Sequence, residues 1–218
     1  TLGAIADVQK QKTILNTPVV VATHARNPAQ SVSVTTDGGK SFQDYGKLNW
    51  ADGMYPFYTC SAFMRNGDLI VAGLTVEYEN TSATSSQFFI RKHNTQTWTT
   101  LRGQPTSMDE DSMPKDRMAI LADPVIPDLM YVAGNAGALA WRVNTTSGLW
   151  EKLWDKPEVP DGSLPHGDCR NYAWDFATNR LVLTSDGGVF ARENPRERGG
   201  KWTSLNGNYA SMELLSAH

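Results

Sequence analysis

Cysteine is almost absent from this chain of 218 residues. Only Cys60 and Cys169 are present, and neither belongs to a metal-ligand spacing or a nucleophile motif. No apolar run approaches the length of a membrane span, and no signal peptide is recognisable. An excess of one charge sign is missing too: 20 Lys and Arg face 23 Asp and Glu, for a net charge of −3. No basic stripe appears, which removes the electrostatic case for nucleic acid. No cofactor or metal site is expected. What is present is 40% hydrophobic and 20% charged residues, an ordinary globular composition in a chain long enough for a sizeable core. A chain that opens at Thr1 rather than Met reads as processed, or as a piece of something longer.

The organising stretch runs from Arg180 to Gly207. Leu181-Val182-Leu183 reads as a strand, and Asp186-Gly187-Gly188 as a hairpin turn in which glycine tolerates positive φ. Val189-Phe190-Ala191 resumes the strand, and the chain returns through Gly200-Lys201-Trp202. This pattern recurs. Its closing aromatic appears at Phe42, Trp98, Trp150 and Trp202, at spacings of 56, 52 and 52 residues. A shift of 52 also lays Asp116 on Asp168 and Asp123 on Asp175. Such a period, with several short strands per unit, is the signature of an all-β propeller of four-stranded antiparallel blades. One unit alone cannot bury its apolar faces, so the units must stack. Residues 1–218 form a single propeller region with approximate blades at 1–50, 51–103, 116–154 and 166–207. Residues 210–218 read as the start of a further blade, so the expectation is part of a six- or seven-bladed propeller, with closure at four blades as the alternative.

Thr35-Thr36-Asp37-Gly38-Gly39-Lys40-Ser41-Phe42 fits Ser/Thr-x-Asp-x-Gly-x-x-Trp/Phe. The Asp37 carboxylate is placed to accept backbone N–H bonds of its own hairpin, Gly39 supplies the turn, and Phe42 is expected to wedge between sheets. With this loop, the stretch from Asp116 to Arg142 (DRMAILADPVIPDLMYVAGNAGALAWR) and SDGGVF…GGKW, the chain resembles the BNR/Asp-box propeller superfamily. That superfamily includes sialidases, family 74 xyloglucan-cleaving glycoside hydrolases, sortilin-type receptor domains and a photosystem assembly factor. The residues before Trp98 and Trp150 lack the aspartate of the box, so those turns must be held differently.

Chemistry is expected on the face where strands enter the propeller, because loops from every blade converge there. Leu164-Pro165-His166-Gly167-Asp168-Cys169-Arg170 and its offset partner Pro114-Lys115-Asp116-Arg117 each place an acid and an arginine before an inner strand. In family 74 this position carries an Asp-His-His-like motif that the present residues match in part. Asp116 and Asp168 are therefore candidate catalytic carboxylates, with His166, Arg117 and Arg170 as binding residues. The alternative is an Asp–Arg pair that seals adjacent blades. A sialidase is disfavoured, since the arginine motif early in such chains is missing and Arg26-Asn27-Pro28 is a poor substitute.

Trp50, Tyr55 and Tyr58 fall outside the period, and stacking on sugar and packing stay open for them. Asp109-Glu110-Asp111 reads as a solvated acidic loop. Asn80 and Asn144 head glycosylation sequons and favour an extracellular or secreted glycoprotein. Cys60 and Cys169, two blades apart, read as buried thiols. The functional expectation is a non-catalytic propeller that recognises a glycan or protein partner, or a structural part of a larger assembly. No nucleic acid and no membrane span enter it, and further chain segments complete the ring. The alternative is a family 74-like glycoside hydrolase using the paired aspartates.

Overall fold

Alternation of apolar and polar residues sets the strands. In Arg180–Ser185, Leu181 and Leu183 are fully buried while Arg180, Val182 and Thr184 are half-buried, the period-2 pattern of a pleated sheet with one face on a core. The computed structural model describes residues 5–12, 18–24, 31–77, 84–104, 118–134, 140–153 and 165–207. Among them are sixteen strands and no helix.

The strands form four antiparallel sheets, each a four-stranded meander in chain order. The first holds β1 (Ile5–Lys12), β2 (Pro18–His24), β3 (Ser31–Thr35) and β4 (Gln43–Lys47). The second holds β5 (Met54–Phe63), β6 (Leu69–Glu77), β7 (Thr84–Arg91) and β8 (Trp98–Thr100). The third holds β9 (Ala119–Ala122), β10 (Leu129–Ala133), β11 (Ala140–Asn144) and β12 (Leu149–Lys152). The fourth holds β13 (Cys169–Asp175), β14 (Arg180–Ser185), β15 (Gly188–Arg192) and β16 (Trp202–Ser204). One strand limit differs from the sequence reading. The polar stretch from Glu77 to Ser86 suggests an exposed loop, yet β7 begins at Thr84 and pairs Thr75↔Ser85 and Leu74↔Ser86 with β6. Ladder pairing extends into polar residues because each backbone N–H and C=O needs a partner whatever side chain it bears. The expected terminal strand, 210–218, lies outside the described residues.

The inner strands β1, β5, β9 and β13 pack side by side in that order, and among the described residues no comparable contact joins β13 back to β1. Each gap between neighbouring sheets is filled by its own core. Val32, Val34 and Leu48 meet Leu69, Val71 and Phe89 between the first two sheets. Phe88 and Ile90 meet Met118, Met130 and Val132 between the next two. Tyr131 and Leu153 meet Tyr172, Leu183 and Trp202 in the last. Burial of these faces is the main driving force, and it is available only to stacked sheets.

The periodic tryptophans do more than fill space. The Trp98 indole donates to the Tyr45 carbonyl of the preceding sheet at 2.7 Å, and the Trp150 indole donates to the Arg102 carbonyl at 2.9 Å. At the third junction the Leu153 carbonyl is taken instead by Arg192 Nη1 at 2.9 Å. Trp202 Nε1 has no partner there. Phe42, the first member of the series, is no wedge. It is 52% exposed: Trp98 and Trp150 reach back to the preceding sheet, and among the described residues no sheet precedes the first.

Candidate functional site

In a four-stranded meander the links after the first and third strands lie at one end of the sheet. The links after the second and fourth strands lie at the other, together with the entry to the next inner strand. Contacts across sheets agree with this division. The Cys169 N–H, where β13 begins, donates to the Gly134 carbonyl, where β10 ends, at 3.2 Å. At the opposite end, Arg65 Nη1 donates to the Pro124 carbonyl at 2.8 Å. The first of these ends, the mouth, gathers His166, Asp168, Arg170 and the Asp186-Gly187 link.

The mouth cluster is held from several sides. Register Cys169↔Ser185 and Ser185↔Gly188 brings the start of β13 beside the two-residue link between β14 and β15. Arg170 crosses that gap: its Nε donates to Asp186 Oδ1 at 2.8 Å, and Nη2 lies 2.8 Å from the same oxygen. A charge-assisted pair in this half-buried setting fixes both side chains. Asn206 clamps the link from outside, donating from Nδ2 to the Gly187 carbonyl at 2.7 Å and accepting the Val189 N–H at 2.8 Å. His166 presses directly on the link. A Cβ at position 187 would stand 2.3 Å from the His166 Cβ, so only glycine fits. Asp168 has φ of 59°, a left-handed backbone that costs free energy in an aspartate and is sustained by its surroundings. The His166 ring is exposed, with Nδ1 3.2 Å from the Gly167 carbonyl.

Cys169 follows Asp168 but turns inward. Burial, then the nearby charges of Asp168 and Asp186, push its thiol up to about 12, so it stays protonated and inert as a nucleophile. Both cysteines are buried, and neither forms a disulfide.

The remaining candidates distribute as follows. Asp116 and Arg117 lie outside the described residues, as do Asn80 and the Asp109-Glu110-Asp111 stretch. Tyr55 lies in β5, with its side chain outside the description. Trp50 is 7% exposed and sits edge-on to Phe89, ring centroids 4.8 Å apart. That makes it a core residue rather than a sugar platform. Tyr58 donates its hydroxyl to the Met118 carbonyl at 2.9 Å and packs against the core between the second and third sheets. Asn144 is a turn residue: Oδ1 accepts the N–H groups of Thr146 and Ser147 at 3.0 and 2.8 Å, and Nδ2 donates to Asp128 at 3.1 Å. In the spacing of the box the aspartate would fall at Thr145, so Asn144 holds this turn from one residue earlier. Before Trp98 the same task falls to Asp68, which accepts the His93 N–H at 2.8 Å and pairs with Lys92 at 2.8 Å.

At the end opposite the mouth, described acids hold turns and a blade junction. Asp37 accepts the N–H groups of Lys40 and Ser41 at 3.0 Å each, and the Thr35 hydroxyl at 2.7 Å. Gly39 donates to Thr35 Oγ1 at 2.9 Å with φ of 91°. The Ser41 hydroxyl and N–H, with the Thr35 hydroxyl, hold the Asp37 carboxyl far below the usual carboxylate range. Across the last junction, Arg196 grips Asp123 with two bonds of 2.8 and 2.9 Å and lies 4.8 Å from the Trp174 ring. Sequence reading misses this pair, as it misses Arg170–Asp186. Only the ladder register reveals the second, and nothing in the sequence ties residue 196 to residue 123.

No family model matches the sequence, and no curated protein sequence does either. Solved structures do match. A GH74 enzyme of Niastella koreensis superposes with a TM-score of 0.56 at 13% identity, covering 94% of this chain and 30% of that one. An auxiliary nutrient-binding protein from Bacteroides ovatus gives 0.52 at 14% identity, covering 95% and 49%. The polysaccharide lyase Uly1 gives 0.50 at 10% identity, covering 86% and 42%. The fold is a β-propeller. Its four described sheets are blades, and the chain spans less than half the length of each of these three structures. At this identity the likeness is one of fold.

Proposed function

We propose that this β-propeller recognises a glycan at its mouth face and does not turn it over. The observation that carries the reading is the mouth cluster itself. Arg170 is fixed against Asp186, Asp168 is held in a left-handed backbone, and His166 is exposed beside them. Donors and acceptors pinned in this way suit hydroxyl groups, because no side-chain freedom is lost when the ligand arrives. The coordinate likeness to carbohydrate-acting propellers supports a carbohydrate ligand by analogy of fold. The Thr35–Phe42 turn supports the Asp-box reading in the same spirit.

Calorimetric titration with neutral oligosaccharides tests the proposal. Arg170→Met is expected to abolish binding while the melting temperature falls only modestly. Retained affinity would rule the cluster out as the binding site.

Hydrolysis is the second reading, favoured by the position of Asp168 at a blade entrance. It requires Asp116 as the facing carboxylate, since a glycosidase needs two, and Asp186 is committed to Arg170. Release of reducing ends by the wild type, lost in Asp168→Asn, would replace binding by turnover.

A further inference from the structure

Buried polar atoms in folded proteins are nearly always hydrogen-bonded. The junction between the third and fourth sheets departs from that rule. Four buried atoms of the fourth sheet, the Tyr172 hydroxyl, Ser185 Oγ, Arg192 Nε and Trp202 Nε1, have no hydrogen-bond partner. At the two earlier junctions the periodic indole is satisfied, by the Tyr45 and the Arg102 carbonyls. Here Arg192 Nη1 takes the Leu153 carbonyl, and the Trp202 indole is left without an acceptor.

Arg192 is 1% exposed, and every acceptor it reaches is a backbone carbonyl: Leu153 at 2.9 Å, then Glu197 and Arg198 at 3.2 Å each. Among the described residues no carboxylate pairs with it. The side chain is locked in place, since a Cβ at Gly200 would stand 3.1 Å from the Arg192 Cζ and 2.3 Å from the Glu193 carbonyl oxygen. Burial lowers its pKa to about 10, so it stays a cation at neutral pH. A buried cation with no counter-charge is costly. Trp202, 5% exposed, is its direct cross-strand neighbour, with Cζ 5.7 Å from the indole ring. Tyr172, 4% exposed, lies in the same core and feels the Arg192 charge. Burial holds its hydroxyl protonated, hence a donor. The facing Tyr131 hydroxyl is already spent on Asp123.

We propose that this junction binds a chloride-sized inorganic anion, held by Arg192 Nε, Trp202 Nε1 and the Tyr172 hydroxyl. The first two groups can only donate, so what they call for is an acceptor. Water brings two protons of its own into a site rich in donors, whereas a halide brings none and cancels the buried charge. Leu181, Leu183 and Phe190 share this core, and apolar walls favour a weakly hydrated monatomic ion over phosphate or sulfate. The anion seats the fourth blade on the third, whatever the mouth takes.

The test is the melting temperature at constant ionic strength in sodium gluconate, fluoride, chloride and bromide. Chloride and bromide are expected to raise it by about 5 °C over gluconate, in a saturable way, as a ligand bound only to the folded state does. General salt effects run in the opposite order, because strongly hydrated anions stabilise most. Tyr172→Phe removes one donor and keeps the packing. In gluconate it should match or exceed the wild type, an unpaired hydroxyl being gone, and it should lose about half of the chloride rise. Trp202→Phe should lose a similar share, whereas Tyr58→Phe at the neighbouring junction should keep all of it. Equal melting in chloride and gluconate, fluoride above bromide, or a rise that survives both Tyr172→Phe and Trp202→Phe overturns the proposal. Bromide-soaked crystals of the wild type give a reading that needs no variant. An anomalous peak within hydrogen-bonding distance of Arg192 Nε and Trp202 Nε1 supports the site, and water density alone at that place overturns it.

Discussion

Asp123 shows how much one carboxylate can be asked to hold. Its side chain is fully buried, accepts the N–H groups of Val125 and Ile126 at 2.8 Å each, takes the Tyr131 hydroxyl at 2.7 Å and receives Arg196 from the next blade. Burial pushes its pKa up, but Arg196, the Ile126 N–H, Tyr131 and the Val125 N–H together outweigh it and hold the group below the usual aspartate range. Asp123→Asn is expected to cost about 3 kcal/mol at neutral pH, the scale of a buried pair broken on one side. A group with a depressed folded pKa stabilises above its unfolded value and loses that contribution as pH falls toward the folded one. The gap between wild type and variant should therefore shrink below about pH 4. Urea unfolding at both pH values checks this, and a gap that persists in acid would contradict the charge account. Part of this residue is legible in the sequence. The repeat aligns Asp123 with Asp175, and both accept N–H groups two and three residues ahead in the turn after an inner strand. Arg196 is not legible, because its pairing depends on how two blades stack and leaves no trace in local spacing.

At the scale of elements, the carbonyl that each tryptophan grips is followed by a glycine in a left-handed conformation. Gly46 follows Tyr45 with φ of 88°, and Gly103 follows Arg102 with φ of 69°. The two differ in the space around them. A Cβ at Gly46 would meet nothing closer than 3.7 Å, whereas one at Gly103 would lie 2.3 Å from the Gly148 carbonyl oxygen of the next blade. Gly46→Ala should therefore cost about 1 kcal/mol, the backbone strain alone. Gly103→Ala should cost about 3 kcal/mol, because a rigid carbonyl must also move. Denaturation midpoints decide it, and equal costs would mean that the second and third blades can slide apart locally. Strand placement is largely readable, since period-2 alternation and the 52-residue repeat are local signals. The wedge role expected of Phe42 fails for a physical reason. An aromatic after the turn is buried only if the neighbouring blade reaches it, and the pattern of the box says nothing about that neighbour.

Among the described residues, three cores join the blades, each shared by one neighbouring pair. In such an array stability is a sum of blade and junction contributions, and a blade with two junctions is better protected than one with a single junction. Among the described residues the second and third blades have two junctions, and the first and fourth have one. Met130, fully buried between the second and third blades, is the place to probe this. Met130→Ala should cost about 3 kcal/mol through lost burial and a cavity. Amide exchange in the wild type should be slowest in β5–β7 and β9–β11 and faster in β13–β15. In the variant, protection should drop in the second and third blades first. Neighbouring junctions carry the loss outward, so the fourth blade should lose less and the first blade least. If instead the first and fourth blades exchange as slowly as the inner pair, each must have a second neighbour. The outer faces of the first and fourth sheets would then be covered in solution, either by more of the chain or by another molecule.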